Sequence, residues 1–201
     1  MNSFTNFENF LTGTAVIAVI LFVLREIIEA VKKWKSDQRK LSALKKILSR
    51  EIELNFTSLA SLEDALTQAS KQLKSKPRGE FRVVSEPSGK ETWQTWKNNG
   101  ERDRGGMLRR THKAASDKTL LTIAEISPKL LRPLEEYIDS TSEIEHLRSS
   151  LIDYAHPEAS DQNLFPGFTD WALDQLESIR NQQKQLFILC AGKELSKGRL
   201  R

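Results

Sequence analysis

Phe10 to Leu24, FLTGTAVIAVILFVL, carries no charged residue, and ten of its fifteen side chains are Leu, Ile, Val or Phe. Each of those ten favours the centre of a bilayer by roughly 0.3 to 0.6 kcal/mol, so the stretch supplies about 3 to 6 kcal/mol towards insertion. It therefore predicts a membrane span. Sixteen uncharged residues from Asn9 to Leu24 cover only about 24 Å of helix, against a hydrocarbon core of about 30 Å. Ile27, Ile28 and Val31 extend the apolar surface, and Trp34 is a ring of the kind found at membrane interfaces. The expected transmembrane helix is thus 9–31, after a short extracytoplasmic 1–8. A signal peptide fits less well, because MNSFTNFEN has no Lys or Arg.

Charge beside the span sets its expected orientation. Between Arg25 and Arg50 lie nine basic and three acidic residues, whereas the eight residues before the span hold only Glu8. The positive-inside rule then places the N-terminus outside and the rest in the cytoplasm, in a single-pass inner-membrane arrangement. Arg25, Lys32, Lys33, Trp34 and Lys35 are the expected lipid contacts, close enough to an anionic leaflet for each cation to contribute about 1 kcal/mol. The juxtamembrane helix 32–50 is basic. Cys190 has no second cysteine to pair with, in keeping with a reducing compartment.

Beyond residue 50 the pattern becomes that of a helical domain. Ile52, Asn55/Phe56, Leu59, Leu62, Leu66, Ala69 and Leu73 recur at 3,4 spacing, which predicts continuous helix to about Lys74. The steps Leu44, Leu48, Ile52 are both of four residues and locally shift the heptad phase. Asn55, Leu59, Leu62 and Leu66 form a candidate interaction seam, in which Asn55 either fixes register or sits at the edge beside Phe56. Pro77 and Gly79 end the helix. FRVV (81–84) resembles a strand but lacks an evident partner, so an extended loop is the simpler expectation. SGKETWQTW predicts a short helix from Ser88 that puts Trp93 and Trp96 on one face. Residues 99–118 predict a mobile basic loop, whose Arg102, Arg104, Arg109, Arg110 and Lys113 are candidates for binding a polyanion.

Helical spacing returns over Leu120 to Ile126, where Ser127-Pro128 and Pro133 either stop or kink the chain. It continues from Leu134 to Ala155 and again from Thr169 or Asp170 towards Gly198. The expected fold is all-α: a transmembrane helix leading into an elongated cytoplasmic bundle of about four antiparallel helices over 51–201, with one long irregular loop.

No phosphate-cradling, nucleophile-elbow or paired-cysteine motif occurs, and no catalytic residue, cofactor or metal is inferred. His146, with Asp153 on the same helix face and Glu143 and Glu145 nearby, is a conceivable carboxylate–imidazole group. Arg148 and His156 resemble the Arg-x4-6-His pair of the helical HEPN ribonucleases, with seven intervening residues here. In layout the chain resembles bacterial single-pass proteins with a cytosolic helical domain. The leading functional expectation is a membrane-anchored, non-enzymatic interaction module that binds itself or a protein partner. A membrane-perturbing oligomeric effector and a tethered nuclease or hydrolase are the alternatives. The partners expected are anionic lipids and a second copy or another protein; nucleic acid is the lesser reading, and no small-molecule substrate is inferred.

Overall fold

A computed structural model describes residues 3–75, 79–97, 100–156 and 163–195, with side chains described from residue 16 onward. Its elements are α1 (Ser3–Lys74), β1 (Glu80–Ser85), β2 (Glu91–Trp96), β3 (Arg102–Leu108), α2 (Ala114–Ile126), α3 (Pro128–Tyr154) and α4 (Phe165–Ala191). The chain divides into two units, 1–43 and 44–201.

The first unit corrects the expected membrane span. Among the described residues, no helix is long and apolar enough to cross a membrane. Where side chains are described, the uncharged run is Val16–Leu24, about 14 Å of helix. It ends at Arg25, whose guanidinium pairs with Glu29 one turn on, at 3.0 Å. The earlier part of the expected span, 9–15, has its side chains outside the described residues. The single-pass inner-membrane location and the membrane-anchored function rested on that span and fall with it.

The second unit is helical with a sheet, so the all-α expectation is corrected too. β1, β2 and β3 form an antiparallel meander in the order β1-β2-β3. Glu86-Pro87-Ser88-Gly89 makes the first turn: proline presets φ at the second position, and Gly89 takes φ 75°, which a side chain would resist. The same hydrogen-bond pattern recurs at the second turn, where Gly100 N–H donates to Lys97 C=O and has φ 79°. Two turns of this kind give FRVV the neighbour that its sequence does not advertise. Val83 lies opposite Trp93, and Trp93 opposite Gly106. The tryptophans that helical spacing would put on one face therefore lie on opposite faces of β2, Trp93 buried and Trp96 half-buried. The expected basic loop is largely β3 and the start of α2.

The inner face of the sheet, with Phe81, Trp93 and Leu108, shares one core with Leu59, Leu62, Leu66 and Ala69 of α1, Ile144, Leu147 and Leu151 of α3, and Ala172, Leu176 and Ile179 of α4. α1 ends at Lys74, where its apolar spacing stops. α2 stops at Ile126 and Pro128 opens α3, while Pro133 is accommodated inside α3. α4 begins at Phe165, earlier than Thr169, because Pro166 suits a first helical turn. It ends earlier than Gly198 because Gly192 adopts φ 67° and donates to Ile188 C=O, a left-handed cap.

Gly106 is where the sheet tolerates no side chain. A Cβ there would lie 2.7–2.9 Å from the indole of Trp93, which is only 2% exposed and cannot yield. Gly106→Ala is expected to cost about 1 to 3 kcal/mol in a denaturant melt. A loss under 0.5 kcal/mol would show that the indole has room to shift.

Candidate interaction surface

Twelve large apolar side chains between Val16 and Trp34 are exposed, from 44% at Val31 to 62% at Phe22 and Trp34. No neighbouring element of the first unit covers them, since that unit is α1 alone. Their arrangement is ordered. Val16, Ile20, Val23, Ile27, Ala30 and Trp34 follow each other at 4,3 spacing, and Ile17, Leu21, Leu24, Ile28 and Val31 do the same on an adjacent stripe. Together the stripes cover about half the helix circumference, wider than the single a/d seam of a two-stranded coiled coil. Arg25, Glu26, Glu29, Lys32 and Lys33 occupy the opposite side. Both signs of charge are present there, so a copy of the helix would meet complementary charges and no uniform repulsion.

The expected lipid contacts lie on this segment or, for Lys35, directly after it. Lys32, Lys33, Trp34 and Lys35 are exposed, and Arg25 is held by Glu29.

The candidate seam is placed differently. Asn55, Leu59, Leu62 and Leu66 are at most 2% exposed, each covered by the chain's own elements. Asn55 clasps the extended segment after β3. Its Nδ2 donates to His112 C=O at 2.7 Å and to Tyr137 Oη at 2.6 Å, while its Oδ1 accepts from His112 N–H at 2.7 Å. One amide thus satisfies both backbone groups of a residue as a neighbouring strand would. The pattern extends along α1: Ser58 donates to Arg110 C=O, Ser61 to Met107 C=O, and the buried Glu51 accepts from the first N–H groups of α2, Ala115 and Ser116. Glu51 is therefore a tertiary cap, an anion at a helix N-terminus. Residues 51, 55, 58 and 61 are a polar stripe at helical spacing beside the apolar one. That spacing is the signal by which the sequence could have disclosed them.

The five candidate polyanion residues separate into two groups. Arg110 contacts Glu91 at 3.4 Å, and Lys113 donates to Ser142 Oγ at 2.9 Å. Arg102, Arg104 and Arg109 are exposed with no ion pair among the described residues.

Arg148, in the pair that resembles the HEPN motif, is 4% exposed and turned inward. It contacts Glu91 of β2 and Glu145 one turn back on α3, and Glu145 also accepts from Thr111 N–H and Oγ1 at 3.3 Å. Burial pulls the guanidinium pKa below its ordinary value, although an arginine begins so high that it stays cationic. Two arginines and two glutamates balance, which suits a structural network joining β2, α3 and the 109–113 segment. His156 lies past the end of α3. Among the described residues, no three His, Cys, Asp or Glu side chains gather where they could hold a metal ion. Burial pushes the Cys190 thiol up to about 11, so it stays protonated near neutral pH.

Compared with known proteins, the chain matches no family model, and no curated protein or solved structure gives a significant match.

Proposed function

We propose that this protein is a self-associating scaffold, in which the Val16–Trp34 segment of α1 packs against the same segment of other copies in a bundle of three or more helices. The observation that carries this reading is the pair of adjacent, exposed apolar stripes at heptad-compatible spacing. A helix with one stripe needs one neighbour; a helix with two needs a neighbour on each side. Burying the remaining exposed half of each of the ten large apolar side chains in the two stripes is worth roughly 1 kcal/mol apiece. That total, on the order of 10 kcal/mol per chain, is comparable to the about 4 to 15 kcal/mol that association costs.

Sedimentation of the full chain is expected to show a trimer or larger species at micromolar concentration. Ile27→Glu with Ile28→Glu places one charge in each stripe, and this variant is expected to sediment as a monomer with an unchanged far-ultraviolet spectrum for the second unit. A wild-type chain that stays monomeric would overturn the reading. So would a monomer whose apolar segment binds phospholipid vesicles.

A further inference from the structure

The two outer strands of the meander differ in how their free edges are treated. Along β3, α1 supplies the missing partner: Ser61 Oγ donates to Met107 C=O and accepts from Arg109 N–H. β1 has no such cover. The first turn closes with Glu86 N–H donating to Lys90 C=O, so residues 80, 82, 84 and 86 turn their backbone groups towards β2. Those of Phe81, Val83 and Ser85 point the other way, and among the described residues nothing pairs with them. A row of this kind is a template for a further strand, and sheets that must avoid one place a proline, a bulge or an inward-pointing charge on it. β1 has none of these: it reads EFRVVS, its register with β2 is unbroken, and its core-facing residues are Phe81, Val83 and Ser85.

The outer face of the strand decides which strand fits. Glu80, Arg82, Val84 and Glu86 alternate with the core-facing residues and all are exposed, Val84 to 42%. Against an antiparallel copy of itself, β1 can be centred in few ways. Centring the pair on Arg82 sets that guanidinium against its own copy, and centring it on Val83 sets Glu80 against Glu86. Centring it on Val84 removes both conflicts. Arg82 then lies opposite Glu86 of the second copy, twice by symmetry, Val84 covers Val84, and Val83 exchanges its free backbone bonds with Ser85. We infer that the free edge of β1 is a second self-association surface, through which two copies join their sheets about a two-fold axis centred on Val84. Each copy supplies the strand the other lacks. The surface lies in the unit that does not carry the exposed stripes of α1, and it goes beyond their association. It is also small, which puts the dissociation constant of an isolated pair at about 0.1 to 1 mM. At micromolar concentration it is populated only among copies that another contact already holds together.

The test uses the full chain carrying Ile27→Glu and Ile28→Glu, which takes the α1 stripes out of play. Sedimentation of this parent is expected to show monomer at about 10 µM and dimer at about 1 mM. Arg82→Glu or Glu86→Arg, added alone, sets like charges opposite each other twice and is expected to weaken the dimer roughly 10-fold or more. Both changes together restore opposite charges and are expected to bring the dimer back to within about 3-fold of the parent. Arg82 pairs within its own chain only with the half-exposed Glu80, a contact whose loss leaves the fold intact. Hydrogen exchange gives a reading without added edge variants: the Val83 and Ser85 amides of the parent are expected to gain protection as its concentration rises. No dimer at about 1 mM, single variants that dimerise like the parent, a double variant as weak as the singles, or amide protection independent of concentration would overturn the proposal.

Discussion

Arg148→Met is expected to remove about 3 to 5 kcal/mol of stability, because it leaves the Glu91 carboxylate inside the protein with its main counter-ion gone. Glu91 is 12% exposed and its other partner, Arg110, approaches only to 3.4 Å from a side chain that is 66% exposed. A solvated arginine at that distance offsets little of a buried charge. The companion variant separates the charge from the packing. Glu91→Gln combined with Arg148→Met removes both members, and it is expected to recover at least half of the loss in urea denaturation. Glu145→Gln is expected to cost less, since Glu145 is 34% exposed and water can take over part of its role. A loss below 1 kcal/mol for Arg148→Met would mean that Glu91 reaches water and that the network contributes little.

Asn55→Ala is the second large effect, expected at about 3 to 4 kcal/mol. The substitution removes three hydrogen bonds, two of which tie the N–H and C=O of His112 to α1. Tyr137→Phe removes the third bond while leaving both bonds to His112, and is expected to cost about 1 kcal/mol. Asn55→Asp keeps the volume and the acceptor but loses the donor, and it adds a negative charge one turn from the buried Glu51. It is expected to be at least as damaging as Asn55→Ala at pH 7, which a simple loss of volume would not produce. Near-wild-type stability in Asn55→Ala would show that the 109–113 segment is held by other contacts. Burial pushes the phenol of Tyr137 well above its ordinary pKa, so its proton is retained across the range in which the protein is folded.

The helices were legible because periodicity is a local property. The apolar spacing from Ile52 to Leu73 places the end of α1 at Lys74, and the Ser127-Pro128 junction separates α2 from α3. The meander was not legible, for two physical reasons. Trp93 and Trp96 are three apart, a spacing that satisfies one helical face as well as it does opposite faces of a strand. Gly105-Gly106 in β3 looks like a hinge, yet Gly106 is there because the Trp93 indole occupies the place of a side chain. Hydropathy also misjudged the N-terminal segment. It measures how apolar a stretch is, and the described part that remains before Arg25 is nine residues long. The spacing puts Asn55 either on a heptad seam or at its edge, and a heptad does not say whether the matching surface belongs to another chain or to a segment 57 residues further along the same one.

That separation governs the order in which the second unit assembles. The hairpins close loops of a few residues, and α3 and α4 are neighbours in the chain, whereas the bonds from α1 to Met107, His112 and Ser116 span 46, 57 and 65 residues. Closing a loop of that size costs about 3.5 kcal/mol in chain entropy beyond a constant term. Contacts so distant in sequence form after the local ones have organised. The clasp at Asn55 should therefore be absent from the folding transition state. Asn55→Ala is expected to leave the folding rate within about twofold of wild type and to accelerate unfolding by roughly 100-fold or more, making this single amide the latch that sets how long the folded unit persists.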